Sequence, residues 1–113
     1  MTKTLFVPAD GPPLDATTAN DLLSDAWSVE AELVAVPVER LADGFLELST
    51  RIAGEVIQKF TNYRIRLAFI GDISALTQAS RSLRDFVYES NKGAQVWFLN
   101  DRAALDARLA AEG

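Results

Sequence analysis

Chemistry in this chain has to come from carboxylates, amides, hydroxyls, lysine and arginine, because the sequence contains neither cysteine nor histidine. That excludes thiolate nucleophiles, disulfides, imidazole acid–base work, a Ser–His–Asp triad and most zinc or iron sites. A first constellation is Arg51, Glu55, Gln58 and Asn62, which step by four, three and four residues, with Lys59 beside them. Helical spacing brings these side chains together as an interaction surface, a polar pocket, or simply a solvated face laced with ion pairs. Glu55 and Lys59 stand in the favourable i, i+4 order, worth a few tenths of a kcal/mol. A second constellation, Asp72, Ser74 and Asp101, follows apolar runs at strand ends. Two carboxylates there suit a magnesium ion, but no third ligand is evident, and Asp72 and Ser74 are equally well placed to cap a helix. Gly71-Asp72-Ile73-Ser74 also lacks the glycine spacing of a phosphate loop. Asp85 and Glu89, four apart, could divide acid and base roles if burial separated them, yet Arg81 offers Asp85 a plain ion pair.

The elements that must position these groups can be read from apolar spacing. Thr4–Pro8 predicts a first strand, with Gly11, Pro12 and Pro13 breaking the chain after it. Thr18 is placed to cap a short helix carrying Leu22, Leu23, Ala26 and Trp27 on one side. Leu33–Val38 is a continuous apolar run, as in a buried parallel strand. Phe45, Leu48, Ile52, Val56 and Phe60 recur at three- and four-residue steps, predicting one long amphipathic helix from near Phe45 to a turn at Asn62–Tyr63. Gly54 inside it costs about 1 kcal/mol against alanine, which suggests close approach of a neighbouring element. Arg64–Gly71 predicts the third strand. One third helix follows, with Leu76, Ala79, Leu83, Phe86, Val87 and Ser90 on its buried side and Gly93 as a left-handed stop. Gln95–Leu99 is the fourth strand, with Trp97 and Phe98 on opposite faces, and Asp101–Glu112 is an alanine-rich last helix.

The order β-α-β-α-β-α-β-α predicts a single α/β domain over residues 1–113, with right-handed crossovers and a mostly parallel four-stranded sheet. Strand order stays open. Pro37 favours an edge position for the second strand, whereas a superhelical succession would put it inside. Such a sheet collects Asp10, Glu39, Arg40, Asp72, Ser74, Asn100 and Asp101 at its carboxyl edge, where open α/β folds bind ligands. Asn62, Tyr63, Arg64, Glu89, Asn91 and Lys92 gather at the other edge.

The formal charge is −5, and the eight arginines and three lysines are dispersed, which argues against nucleic acid as a partner. No apolar run approaches the roughly 20 residues of a membrane span. The first eleven residues hold one lysine and only three consecutive apolar residues, too few for a secretory signal, so a cytoplasmic protein is expected.

Four runs resemble a family of small bacterial proteins catalogued as domain of unknown function 4180. They are Ala53-Gly54-Glu55-Val56-Ile57-Gln58-Lys59-Phe60-Thr61-Asn62-Tyr63-Arg64, Gly71-Asp72-Ile73-Ser74, Asp85 through Gly93, and Val96-Trp97-Phe98. The resemblance spans about Leu33 to Leu109 and implies little about activity. The succession of elements is also distantly similar to STAS domains, the fold of anti-sigma-factor antagonists. In those regulators an Asp-Ser-Ser-Gly turn carries a phosphorylated serine. Here Leu41-Ala42-Asp43-Gly44-Phe45 stands in its place, with no hydroxyl before Ser49 and Thr50, so the resemblance implies the architecture without the phospho-switch.

The expectation is a non-catalytic regulatory or protein-interaction module, with a protein partner and a homodimer through the last strand as a compatible possibility. The candidate binding residues are Arg51, Glu55, Gln58, Lys59, Asn62, Asp72, Ser74, Glu89 and Asn91. No catalytic residue, metal or cofactor is assigned. The competing expectation is a small-molecule-binding or carboxylate-based enzymatic domain, with its site on the central helix or at the strand ends.

Overall fold

A computed structural model describes residues 2–112. Four strands, β1 (Thr4–Phe6), β2 (Leu33–Pro37), β3 (Arg66–Ile70) and β4 (Val96–Leu99), form one sheet in the order β1-β2-β3-β4, every pair parallel. The helices are α1 (Ala19–Ser28), α2 (Ile52–Asn62), α3 (Ser74–Ala79), α4 (Arg81–Lys92) and α5 (Arg102–Glu112). Each crossover steps one strand in the same direction. With one hand throughout, α1, α2 and α4 must fall on the same face. Their side chains Leu22, Leu23, Val56, Phe60 and Phe86 accordingly pack with Val34, Val36, Leu67, Phe69 and Phe98 in the larger core.

The opposite face is small. Leu33, Ala35, Ala68 and Trp97 pack there against Leu105 of α5. Two alanines in mid-strand leave a trough shallow enough for one helix to lie close. Arg102 sits 3.7 Å over the Phe6 ring, and Arg66 pairs with Glu112 at 2.9 Å, so both ends of α5 are tied down. Trp97 is buried between the layers, its indole N–H donating to Gly93 O, with Arg66 and Arg108 at 4.5 and 4.6 Å from its ring.

Pro37 closes β2 while the strand lies inside the sheet. Leu33 N donates to Lys3 O and Ala35 O accepts from Val7 N, so alternate residues of β2 face β1. Residue 37 would be the next donor toward β1, and proline has no N–H to give, so the β1–β2 ladder ends there.

Several expected elements are rearranged. The long helix does not begin near Phe45, because α2 starts at Ile52. Residues 42–51 instead run through successive i→i+3 turns, with Phe45 N on Ala42 O, Glu47 N on Gly44 O, Thr50 N on Glu47 O and Arg51 N on Leu48 O. Arg51 then takes φ +66°, which no α-helix passes through. The Thr50 hydroxyl bonds Gly44 O and Glu47 O, locking the segment, and Phe45 is still buried, edge-on to Phe69 at 5.4 Å.

The third helix is also broken. Ser80 is extended, and its Oγ accepts from Leu83 N as the cap of α4. Leu76 and Ala79 are therefore exposed rather than buried. Thr18 does not cap α1 with its side chain; Asp15 Oδ1 accepts from Thr17 N and Thr18 N instead. Gly93 has φ −90° and is not left-handed. Gly54 has nothing within 4 Å of where a Cβ would sit, so close packing is not its reason. Trp27, expected on the apolar side of α1, is 65% exposed.

Candidate functional site

The sequential strand order has no point at which it reverses, so the crevice that doubly wound sheets use for ligands is absent. A different cleft opens at the carboxyl ends of β2 and β3. One wall is the 41–49 segment that replaces the start of the expected helix. The other is α3 and the first turn of α4, set apart by the break at Ser80. The cleft holds about 760 Å³, with Val38, Phe45, Ile73, Leu76 and Leu83 among its apolar lining and Asp43, Glu47 and Asp72 as its charged groups.

A second depression adjoins it. Leu48, Arg51, Gly54, Glu55, Gln58, Lys59 and Phe86 line an open groove of about 800 Å³ between α2 and α4. The two share Leu48, and Leu83 and Phe86 lie one turn apart on α4, so α4 borders both. The absent Cβ at Gly54 helps to keep this groove open.

The first sequence constellation is thus gathered in one place, although not as ion pairs. Glu55 and Gln58 are exposed, and Gln58 donates to Asn62 Oδ1 at 2.8 Å. Lys59 turns toward α1, donating to Ala16 O at 2.9 Å and Asn20 Oδ1 at 3.3 Å, so the expected Glu55–Lys59 bridge does not form.

The strand-end group divides. Asp72 borders the cleft, and its Oδ1 accepts from Ser74 N at 2.9 Å. That bond holds its carboxyl below the ordinary carboxylate value, the opposite direction from a general acid. Ser74 is the first residue of α3 and does not line the cleft. Asp101 caps α5 through Ala104 N at 2.8 Å. Among the described residues no three carboxylates converge closely enough to hold a metal ion. Arg40 serves the chain itself, donating to Pro12 O, Pro8 O and Asp10 O and fastening the loop after β1.

At the other edge Glu89 pairs with Lys92 at 3.3 Å on the surface, and no Arg81–Asp85 bridge occurs among the described residues. Asn91 has a structural task. Its Oδ1 accepts from Phe98 N at 2.8 Å and its Nδ2 donates to Phe98 O at 3.2 Å. Asn91 thereby pairs with Phe98 at the outer edge of β4 as one residue of a further strand would.

Two features lay outside the sequence expectations. The cleft walls depend on turns that helical periodicity conceals, although Ser80, a good capping type inside the run, was a usable signal. The other is an exposed aromatic pair, Trp27 and Tyr63, edge-on at 6.0 Å beside a shallow 260 Å³ hollow. Nothing in the spacing distinguished Trp27 from a core residue.

Among the described residues no polar or charged residue is buried, and no helix is long and apolar enough to cross a membrane. Residues 1–109 match the family described as Domain of unknown function (DUF4180). No curated protein and no solved structure matches the chain.

Proposed function

We propose that this chain, which belongs to that family, is a non-catalytic regulatory module that receives a segment of a partner protein in the cleft and the adjoining α2–α4 groove. The observation that carries the reading is the pairing of a wide, apolar-floored depression with the lack of any buried polar group among the described residues. Enzymes tune acids and bases by burying them, and small-ligand sites orient their ligands with a few enclosed polar atoms. Here the polar groups stand on the rim, the arrangement of a docking surface whose centre is apolar. The placement of β2 inside a sequential sheet supports a STAS-like succession of turns, used without a serine switch at Leu41–Phe45.

The test compares the proteins recovered from native lysate by the wild type, by Leu76→Glu, by Gly54→Gln and by Trp27→Ser. Leu76 is 49% exposed on the cleft wall, and the open space above Gly54 admits a side chain that plugs the groove without unfolding α2. Partners kept by the wild type and Trp27→Ser but lost from both groove variants support the reading. Identical recovery by all four proteins refutes it. Stabilisation by several degrees from one class of small molecule, in a thermal-shift screen of nucleotides, acyl compounds and divalent metals, would favour a ligand-binding role instead.

A further inference from the structure

We infer that the occupant of the cleft is a basic, amphipathic segment of a partner protein, whose apolar side chains meet Leu76 and its neighbours and whose lysines or arginines meet Asp43, Glu47 and Asp72; this rests on the docking role proposed above. Charge selects the sign of the occupant. The cleft carries those three carboxylates and no lysine or arginine, on a chain of net charge −5. No basic side chain among the described residues forms a salt bridge with any of the three. Among the described residues no three carboxylates are close enough to share a metal ion, which leaves separate cationic side chains as their counter-charges. An anionic occupant of the cleft would meet like charge at Asp43, Glu47 and Asp72.

Packing selects the apolar half. Helix α3 has six residues and none of them is buried, so its own packing contributes little to holding it in place. Leu76 nevertheless projects an apolar side chain onto the cleft, half exposed. A segment lying between α3 and the 41–49 wall would cover Leu76 and supply the contact that α3 lacks. The continuation of the cleft into the α2–α4 groove gives such a segment room to extend.

Two fluorescent nonapeptides with the same leucines test this, one alternating with lysine and one with glutamate. Binding to the whole protein is followed by anisotropy, and the site by amide shifts in a ¹⁵N-labelled sample. The lysine peptide is expected to bind one to one, to shift amides within 41–49 and 72–83, and to weaken as salt rises. The triple variant Asp43→Asn, Glu47→Gln, Asp72→Asn should lose about tenfold in affinity, as for three partly exposed ion pairs. Asn at position 72 keeps the acceptor for Ser74 N, and thermal melts check the fold. A control triple, Glu30→Gln, Glu89→Gln, Asp106→Asn, should retain wild-type affinity. An equal loss in the control overturns the inference, since general charge would explain it. Equal binding of the glutamate peptide at the same amides also overturns it while leaving the docking reading intact. If neither peptide shifts the cleft amides the basic segment is refuted, and the lysate comparison decides the docking role separately.

Discussion

Replacing Asn91 with alanine should destabilise the protein and open the outer edge of β4. Residues of a parallel strand direct their backbone groups alternately to either side. Gln95 O, just before β4, and Leu99 O within it accept from Leu67 N of β3 and from Gly71 N just after β3, so the backbone groups of Phe98 face outward. Its N–H and C=O both end on the Asn91 amide, at 2.8 and 3.2 Å, in a half-buried setting. Removing that side chain deletes two hydrogen bonds, each worth about 0.5–1.5 kcal/mol net, so a loss of about 1–3 kcal/mol is expected. For a domain of this size that is a fall of roughly 5–15 °C in the unfolding midpoint. Asn91→Asp should fare no better, because one carboxylate oxygen would face Phe98 O without a proton to donate. Circular dichroism melts give the global effect, and hydrogen exchange gives the local one, as faster exchange at the Phe98 amide. Sedimentation velocity reads the edge, since an unpaired β4 is free to accept another strand. If Asn91→Ala melts within about 0.5 kcal/mol of wild type and Phe98 keeps its protection, the edge-capping argument is wrong.

Other consequences are more local. Gly54→Ala should raise stability by about 0.5–1 kcal/mol in a melt, because the added methyl meets nothing within 4 Å and relieves the helix-interior cost of glycine; a loss of stability would mean that α2 packs more closely than described. Gly71→Ala should do the reverse, by about 1–3 kcal/mol, since φ is +148° and the new Cβ would run into Val38 Cγ2 at the floor of the cleft. Asp15 and Asp72 are held below the ordinary carboxylate value, mainly by backbone N–H groups of Thr18 and Ser74. Their contribution is therefore complete above the unfolded carboxylate pKa and is lost as pH falls through the lower folded values. Urea melts between pH 6 and pH 3 should show a steeper acid loss for wild type than for the Asp15→Asn, Asp72→Asn double variant, and parallel curves would contradict this.

The fold class was legible because buried strands and amphipathic helices carry strong periodic signals. Leu33–Pro37, Arg66–Ile70 and Val96–Leu99 all lie within the runs that predicted them. Trp97 and Phe98 pack on opposite faces as alternation requires. Strand order was not legible: the missing N–H of Pro37 fits an edge strand and the closing residue of an inner strand equally well. The helix expected from Phe45 failed for a related reason. A string of i→i+3 turns also brings residues three apart to one side, so Phe45 and Leu48 satisfy helical spacing without forming a helix. Only backbone facts, Arg51 at φ +66° and Gly44 at φ +79°, separate the two cases.

Two of these departures from regularity adjoin the same space. The turns of 42–51 form one wall of the cleft, and the break at Ser80 that sets α3 apart from α4 forms the other. Sequences are expected to violate local rules chiefly where function or strain requires it. Two independent violations that enclose the same space favour function, because strain alone gives no reason for them to coincide. The residues to vary first are therefore Asp43, Glu47 and Leu76, whose side chains face that space and form no salt bridge among the described residues.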